Sequence, residues 1–199
     1  MRLRGLVFSA LFAALFAVIS LVQIHVSVIP ITLETLIPVI AGGLLGAWYG
    51  ALTFIIVLGL DVLGLPLIGG HGGVGVLVGP TAGFIWAWPV CAFLTGLLVS
   101  RIKSGQRFEY LWIFLAAFIF GDLISYIPGV LWMRHVVPEY RPWGKALMAG
   151  MYPFLPGDFI KTLIAALIVE RVRKIYPQRR IIHGDRFVGS DSVKPGGIV

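Results

Sequence analysis

The amino-acid sequence predicts an all-α integral membrane protein with six transmembrane helices, and two observations carry that prediction. The first is composition: of 199 residues, 58% are hydrophobic and 13% charged, and the mean hydropathy is +0.95, whereas a soluble domain is nearer half apolar and a quarter charged. The second is the length of the apolar runs. A helical crossing of the bilayer core takes about 20 residues, which leaves room for roughly five to seven. The runs are continuous and lack the period-two alternation of a transmembrane barrel. Helices remain, because in lipid every backbone N–H and C=O must be paired within the protein.

Arg2 and Arg4 precede an uncharged stretch from Gly5 to Thr32, longer than the apolar region of a signal peptide and read as a retained first helix. Residues 33–66 are too long for one span and carry Gly42, Gly43 and Gly46 at their middle; they read as two crossings that turn near Gly46 to Gly50. From Gly64 to Gly83 the chain is dense in glycine, so this segment is expected as an external loop or re-entrant segment, buried against protein or lining a polar cavity. A fourth helix runs to about Ser100, a fifth from Tyr110 to Trp132, and a sixth from Tyr152 to Val172. Residues 1–176 then form the membrane domain, and 177–199 a polar cytoplasmic tail.

The cations set the orientation. Arg2, Arg4, the loop Arg101, Lys103 and Arg107, and the tail Arg171, Arg173, Lys174, Arg179, Arg180, Arg186 and Lys194 fall on one side; Arg134, Arg141 and Lys145 fall on the other. The positive-inside rule places both termini in the cytoplasm of a plasma-membrane protein. The net charge of +7 is thus a topology and lipid-surface signal, and no nucleic-acid partner is expected. Cys91 is the single cysteine, and His25, His71, His135 and His183 have no metal-ligand spacing, so neither a disulfide nor a metal site is expected, and no cofactor.

Ionisable residues within apolar runs cost about 2.5–3.5 kcal/mol each on insertion scales and ask for a partner or a function. Glu34, Asp61, Asp122, Asp158 and Lys161 are of this kind. Asp158 and Lys161 stand apart because an i, i+3 spacing puts both on one helical face. They read either as a self-compensating ion pair or as a ligand site, and two leucines would serve the fold as well as a buried pair does. A carboxylate acceptor beside an ammonium donor matches a ligand edge with adjacent N–H and C=O groups, such as a cyclic urea or amide. On the first helix, Ala10 with Ala14 and Ala13 with Ala17 repeat small residues every four positions, a face on which helices approach closely in lipid.

Several stretches together resemble one family. These are Val28-Ile29-Pro30-Ile31-Thr32-Leu33-Glu34-Thr35, GLPLIGGHGG, GPTAGF (Gly79 to Phe84), ISYIPGVLWM (Ile124 to Met133) and PFLPGDFIK (Pro153 to Lys161). They resemble BioY, the biotin-specific substrate-binding (S) component of energy-coupling-factor (ECF) vitamin transporters, over most of residues 5–173. The resemblance implies capture of biotin from outside by a six-helix protein that works with a transmembrane coupling subunit and two cytoplasmic ATPase subunits. It implies ligand-binding roles for Asp158 and Lys161, for Gly79, Thr81 and Gly83, and for Thr32 and Glu34, with the alanine face of Ala10, Ala13, Ala14 and Ala17 as the docking surface. Where the family often has Gly, Tyr and Gln, this chain has Ala82, Phe84 and Glu34.

For a bicyclic urea with an acid tail, Asp158 would accept a ureido N–H, Lys161 would donate to the ureido oxygen or the tail carboxylate, and Trp86 and Tyr126 would wall the bicycle. Three other classes are weighed. An S-component for thiamine or riboflavin remains an alternative, although Lys161 suits a cationic ligand poorly. A membrane enzyme lacks H-E-x-x-H and G-x-x-x-x-G-K-[ST] motifs, and an ion-coupled carrier would be expected to show two similar halves.

Overall fold

The computed structural model describes residues 3–24 and 31–183. Arg2, His25, the Val28 to Pro30 part of the first motif, and the tail from 184 onward with Arg186 and Lys194 lie outside the described residues. The regular elements of the described residues are helices and one very short antiparallel strand pair.

The first helix, α1 (Leu3–Ile19), is shorter than the sequence reading of Gly5 to Thr32. Ser20 explains the stop: its hydroxyl is shared between the carbonyls of Ala17 and Leu67, both at 2.8 Å, and accepts the Gly69 N–H at 3.2 Å. A polar group that would cap nothing in a continuing helix instead ties its end to the glycine-rich segment. The chain then forms β1 (Gln23–Ile24) and β2 (Ile31–Thr32), an antiparallel pair in which Gln23 faces Thr32. Thr32 is therefore on a hairpin strand, not on a helix.

The helical segment α2 (Leu36–Val62) contains one residue, Gly46, at φ 79°, ψ 178°, a region essentially reserved for glycine. A Cβ built on Gly50 would lie 2.7 Å from the Gly42 Cα, whereas two residues eight apart in one straight helix are about 12 Å apart. The backbone thus reverses at Gly46. Glycines make the junction possible, since a Cβ at Gly96 would lie 2.6 Å from the Ala47 nitrogen and one at Gly42 would meet the Ala92 carbonyl. The segment at Leu63–Thr81 is a loop with one turn of helix, α3 (Val74–Val78), and a bridge between Ile68 and His71.

Next come α4 (Ala82–Arg101) and a continuous rod, Glu109–Val136, made of α5 (Glu109–Ala116), a π-helical stretch (Ala117–Leu123) and α6 (Ile124–Val136). Pro128 inside α6 withholds the N–H that would bond to Ile124, and the wider π turns lie just before that point. Between the fifth and sixth helices expected from the sequence lies α7 (Trp143–Gly150), bent by 41° from α8 (Leu155–Ile175). The end of α8 is fixed by Arg173, which donates to the Ile102 carbonyl at 2.7 Å and lies 3.9 Å from Glu109. Then α9 (Gln178–His183) begins the tail, and Gln178 donates to the Gly43 carbonyl at 2.6 Å.

By length and composition, Leu36–Val62, Ala82–Arg101 and Glu109–Val136 can each cross a membrane, and the bent pair α7–α8 gives a fourth span if taken as one; α1 is a shorter apolar helix. Two apolar clusters hold the helices together. One gathers Val39, Leu44, Val99, Ile113 and Val169, and the other gathers Phe16, Phe54 and Trp88, whose rings meet edge-on at 5.0–5.4 Å. A third, with Tyr126, Val130, Met133 and Phe154, lies beside the candidate site.

Candidate functional site

A cavity of about 370 Å³ opens between the hairpin, the glycine-rich loop and the adjoining ends of α4, α6 and α8, within the 300–1,000 Å³ typical of small-molecule sites. Its polar floor comes from α8. Pro156, in the first turn of that helix, starts it with a pre-set φ, and Asp158 follows in the same turn with 4% exposure. Lys161, one turn on, places its Nζ 2.5 Å from the Asp158 Oδ1. The ammonium also donates to the Thr32 carbonyl at 2.8 Å and to the Thr35 hydroxyl at 3.1 Å. Thr35 in turn approaches the Asp158 Oδ1 at 3.4 Å, and the Tyr126 hydroxyl donates to Oδ2.

These contacts distinguish the two charged groups chemically. An ammonium has three protons and an ionised carboxylate about four lone-pair positions. All three Lys161 donors have protein partners, so a ligand oxygen must replace one, and the longest is Thr35. Asp158 has three partners and retains room for one further N–H. Below the pair, Thr162 donates to Asp122 and lies 2.7 Å from the Asp158 carbonyl, which places Asp122 in a supporting layer outside the cavity. Asp61 is fully buried at the end of α2, and its carboxylate has no hydrogen-bond partner among the described residues.

Glu34 faces the same cavity from the turn before α2. Thr32 donates to its Oε2 at 3.1 Å and Gln23 to its Oε1 at 3.5 Å. The opposite wall carries Gly79 and Thr81. The Gly79 carbonyl accepts from the Trp132 indole at 2.8 Å, which pins the loop to α6. Thr81 stands immediately before α4 without a side-chain cap bond.

Of the residues singled out in the sequence, Asp158, Lys161, Thr32, Glu34, Gly79, Thr81 and Tyr126 share this cavity. Gly83 does not line it: a Cβ there would meet the Pro128 carbonyl and lie 2.6 Å from the Trp132 Cβ, so its smallness serves the α4–α6 contact. Trp86 also lies outside, 42% exposed with its ring 4.4 Å from that of Trp132. Trp88 takes the place expected of Trp86, 4% exposed on the cavity wall. The spacing Thr81, Ile85, Trp88 is i, i+4, i+7, one helical face, and that periodicity selects Trp88. Gln23, His71 and Phe84 also line the cavity; only the closure of hairpin and loop brings the first two there. Among the described residues no group of three or more His, Cys, Asp or Glu is arranged to hold a metal ion.

The small residues of α1 divide. Ala13 is 6% exposed and packs in the Phe16 cluster, which removes it from any outward face, and Ala17 is half-buried. Ala10 and Ala14 are exposed.

Comparison with known proteins gives a consistent picture. A family profile described as the BioY family matches residues 1–178. A protein of Rhodobacter capsulatus named biotin transporter BioY is 38% identical over 165 residues, covering 78% of this chain and 85% of that one. A protein of the same name from Rhizobium etli is 38% identical over 184 residues, covering 89% and 97%. Among solved structures, the S-component for biotin from an ECF-type ABC transporter superposes with a TM-score of 0.77 at 29% identity, covering 85% of this chain and 90% of that one.

Proposed function

The chain belongs to the BioY family, and from that premise we propose that it captures biotin at the membrane as the substrate-binding component of an ECF-type transporter. It is a transport protein and not an enzyme. The observation that carries the substrate reading is the Asp158–Lys161–Thr35–Tyr126 cluster at the floor of a cavity lined by both polar and apolar side chains. In this reading the ureido ring enters N–H first. Asp158 accepts that N–H through its remaining lone pair, and Lys161 turns from Thr35 to the ureido oxygen. Trp88, Phe84 and Tyr126 enclose the apolar bicycle, and the acid tail extends past Thr81, His71 and Glu34. A charged Glu34 would repel that tail, so uptake of a proton by Glu34 favours binding.

Six crossings account for the helices if the two legs of α2 on either side of Gly46 count separately, with α1, α4, the rod Glu109–Val136, and α8. The leg before Gly46 spans about 15 Å, half the roughly 30 Å bilayer core, and the turn that carries Thr32 to Thr35 completes its path. The cavity would then sit within the outer half of the membrane. Both termini are cytoplasmic in this reading, and Ala10 and Ala14 lie on the helix face that meets a transmembrane coupling subunit, with two ATPase subunits beyond it. Equilibrium binding of labelled biotin, thiamine and riboflavin to the purified, detergent-solubilised protein tests the substrate. Tight binding of biotin alone is expected; preference for either of the others would replace the reading.

A further inference from the structure

A second concavity, of about 420 Å³, runs along the outside of the molecule between α6 and α7, lined by Leu123, Ile127, Val130, Leu131, Leu147 and Met151, with Trp143 at one end. It meets the substrate cavity at one shared residue, Tyr126. At its Trp143 end the groove lies against Arg134 and the segment at Arg141.

The cation cluster has a built geometry. The Arg134 guanidinium lies 3.6 Å over the Trp143 ring, and its Nε and Nη2 donate to the Arg141 carbonyl at 2.8 and 2.6 Å. Arg134 thus holds the Arg141 backbone at the groove's end, and further N–H groups of the guanidinium remain. Arg141 is exposed and has no ion-pair partner among the described residues. Trp143 has the amphipathic ring that favours the headgroup level of a bilayer.

We propose that this groove seats one anionic glycerophospholipid of the surrounding membrane. An acyl chain lies along Leu123, Ile127, Val130 and Leu147, and the phosphate faces Arg134 and Arg141. The charge of the cluster selects the anionic headgroup, and the concavity holds a chain longer than the flat lipid-facing surface does.

The test is native mass spectrometry of the full chain released from nanodiscs containing equal amounts of phosphatidylglycerol and phosphatidylcholine with identical acyl chains. Phosphatidylglycerol adducts should dominate by roughly fivefold for each cation that engages the phosphate. Arg141→Ala, at an exposed position, should cut that selectivity by roughly fivefold, to what Arg134 alone supplies, and leave the melting temperature unchanged. Leu147→Trp, which fills the groove, should lose bound lipid of both kinds; Ile127→Trp replaces it should the first variant fail to fold. Equal retention of the two lipids by the parent, or selectivity undiminished in Arg141→Ala, overturns the proposal.

Discussion

Lys161 is saturated by Asp158, Thr32 and Thr35, whereas Asp158 still has an open lone pair, so the two halves of the pair do different work on a ligand. The same distinction between facing and not facing the cavity separates the two tryptophans of α4. Trp88→Ala removes a buried aromatic wall and should weaken biotin binding by roughly tenfold or more. Trp86→Ala touches only Trp132 among the aromatic rings of the described residues and should leave binding within about twofold; titrations of the two purified variants check this pair of expectations. Glu34 faces the same cavity, and Glu34→Gln removes a carboxylate that would repel an acid tail, so biotin should bind that variant at least as tightly as the parent; weaker binding in the same titrations would place the tail away from Glu34.

At the level of elements, glycine is the residue on which the helix arrangement turns. The reversal at Gly46 was legible in the sequence as a 34-residue apolar run with glycines at its middle, because no single span needs that length. What the sequence did not disclose was how short α1 is. Its apolar run continues past Ile19 without a charge, and the stop depends on Ser20 bonding to Leu67 and Gly69, partners far away along the chain. The helix α7 was not legible for a related reason: at eight residues it is too short to stand out as a crossing, and its apolar face is defined by packing on α6. Gly46→Ala should destabilise the protein by about 1–3 kcal/mol, the usual cost of a side chain in that backbone region. Gly96→Leu should cost more, because the new side chain meets the Ala47 backbone, which has little room to yield. Thermal melts of the detergent-solubilised variants, read against the parent, give both values.

At the scale of the whole molecule, the motifs PFLPGDFIK and GPTAGF identified the floor and one wall of the site although they are about 75 residues apart in the chain. The hairpin wall, with Gln23 opposite Thr32, and His71 were not legible, because their place depends on loop closure and not on periodicity. The exterior of α1 supplies a partner prediction. Ala14→Trp should leave biotin binding intact and prevent co-purification with the coupling subunit, since Ala14 is exposed. Ala13→Trp should instead destabilise the protein through overpacking of the Phe16 cluster. Equal loss of binding and co-purification in Ala14→Trp would make that face internal packing.

The central claim is that Asp158 accepts a ligand N–H at the cavity floor. Its most direct measurement is calorimetric titration of biotin into the purified protein and into Asp158→Asn, with melting temperatures recorded without ligand. Removing a charge-assisted hydrogen bond worth about 1.5–3 kcal/mol predicts a loss of affinity of roughly ten- to a hundredfold in a variant that still folds. Parental affinity in folded Asp158→Asn would contradict the claim and return the Asp158–Lys161 pair to a purely structural role.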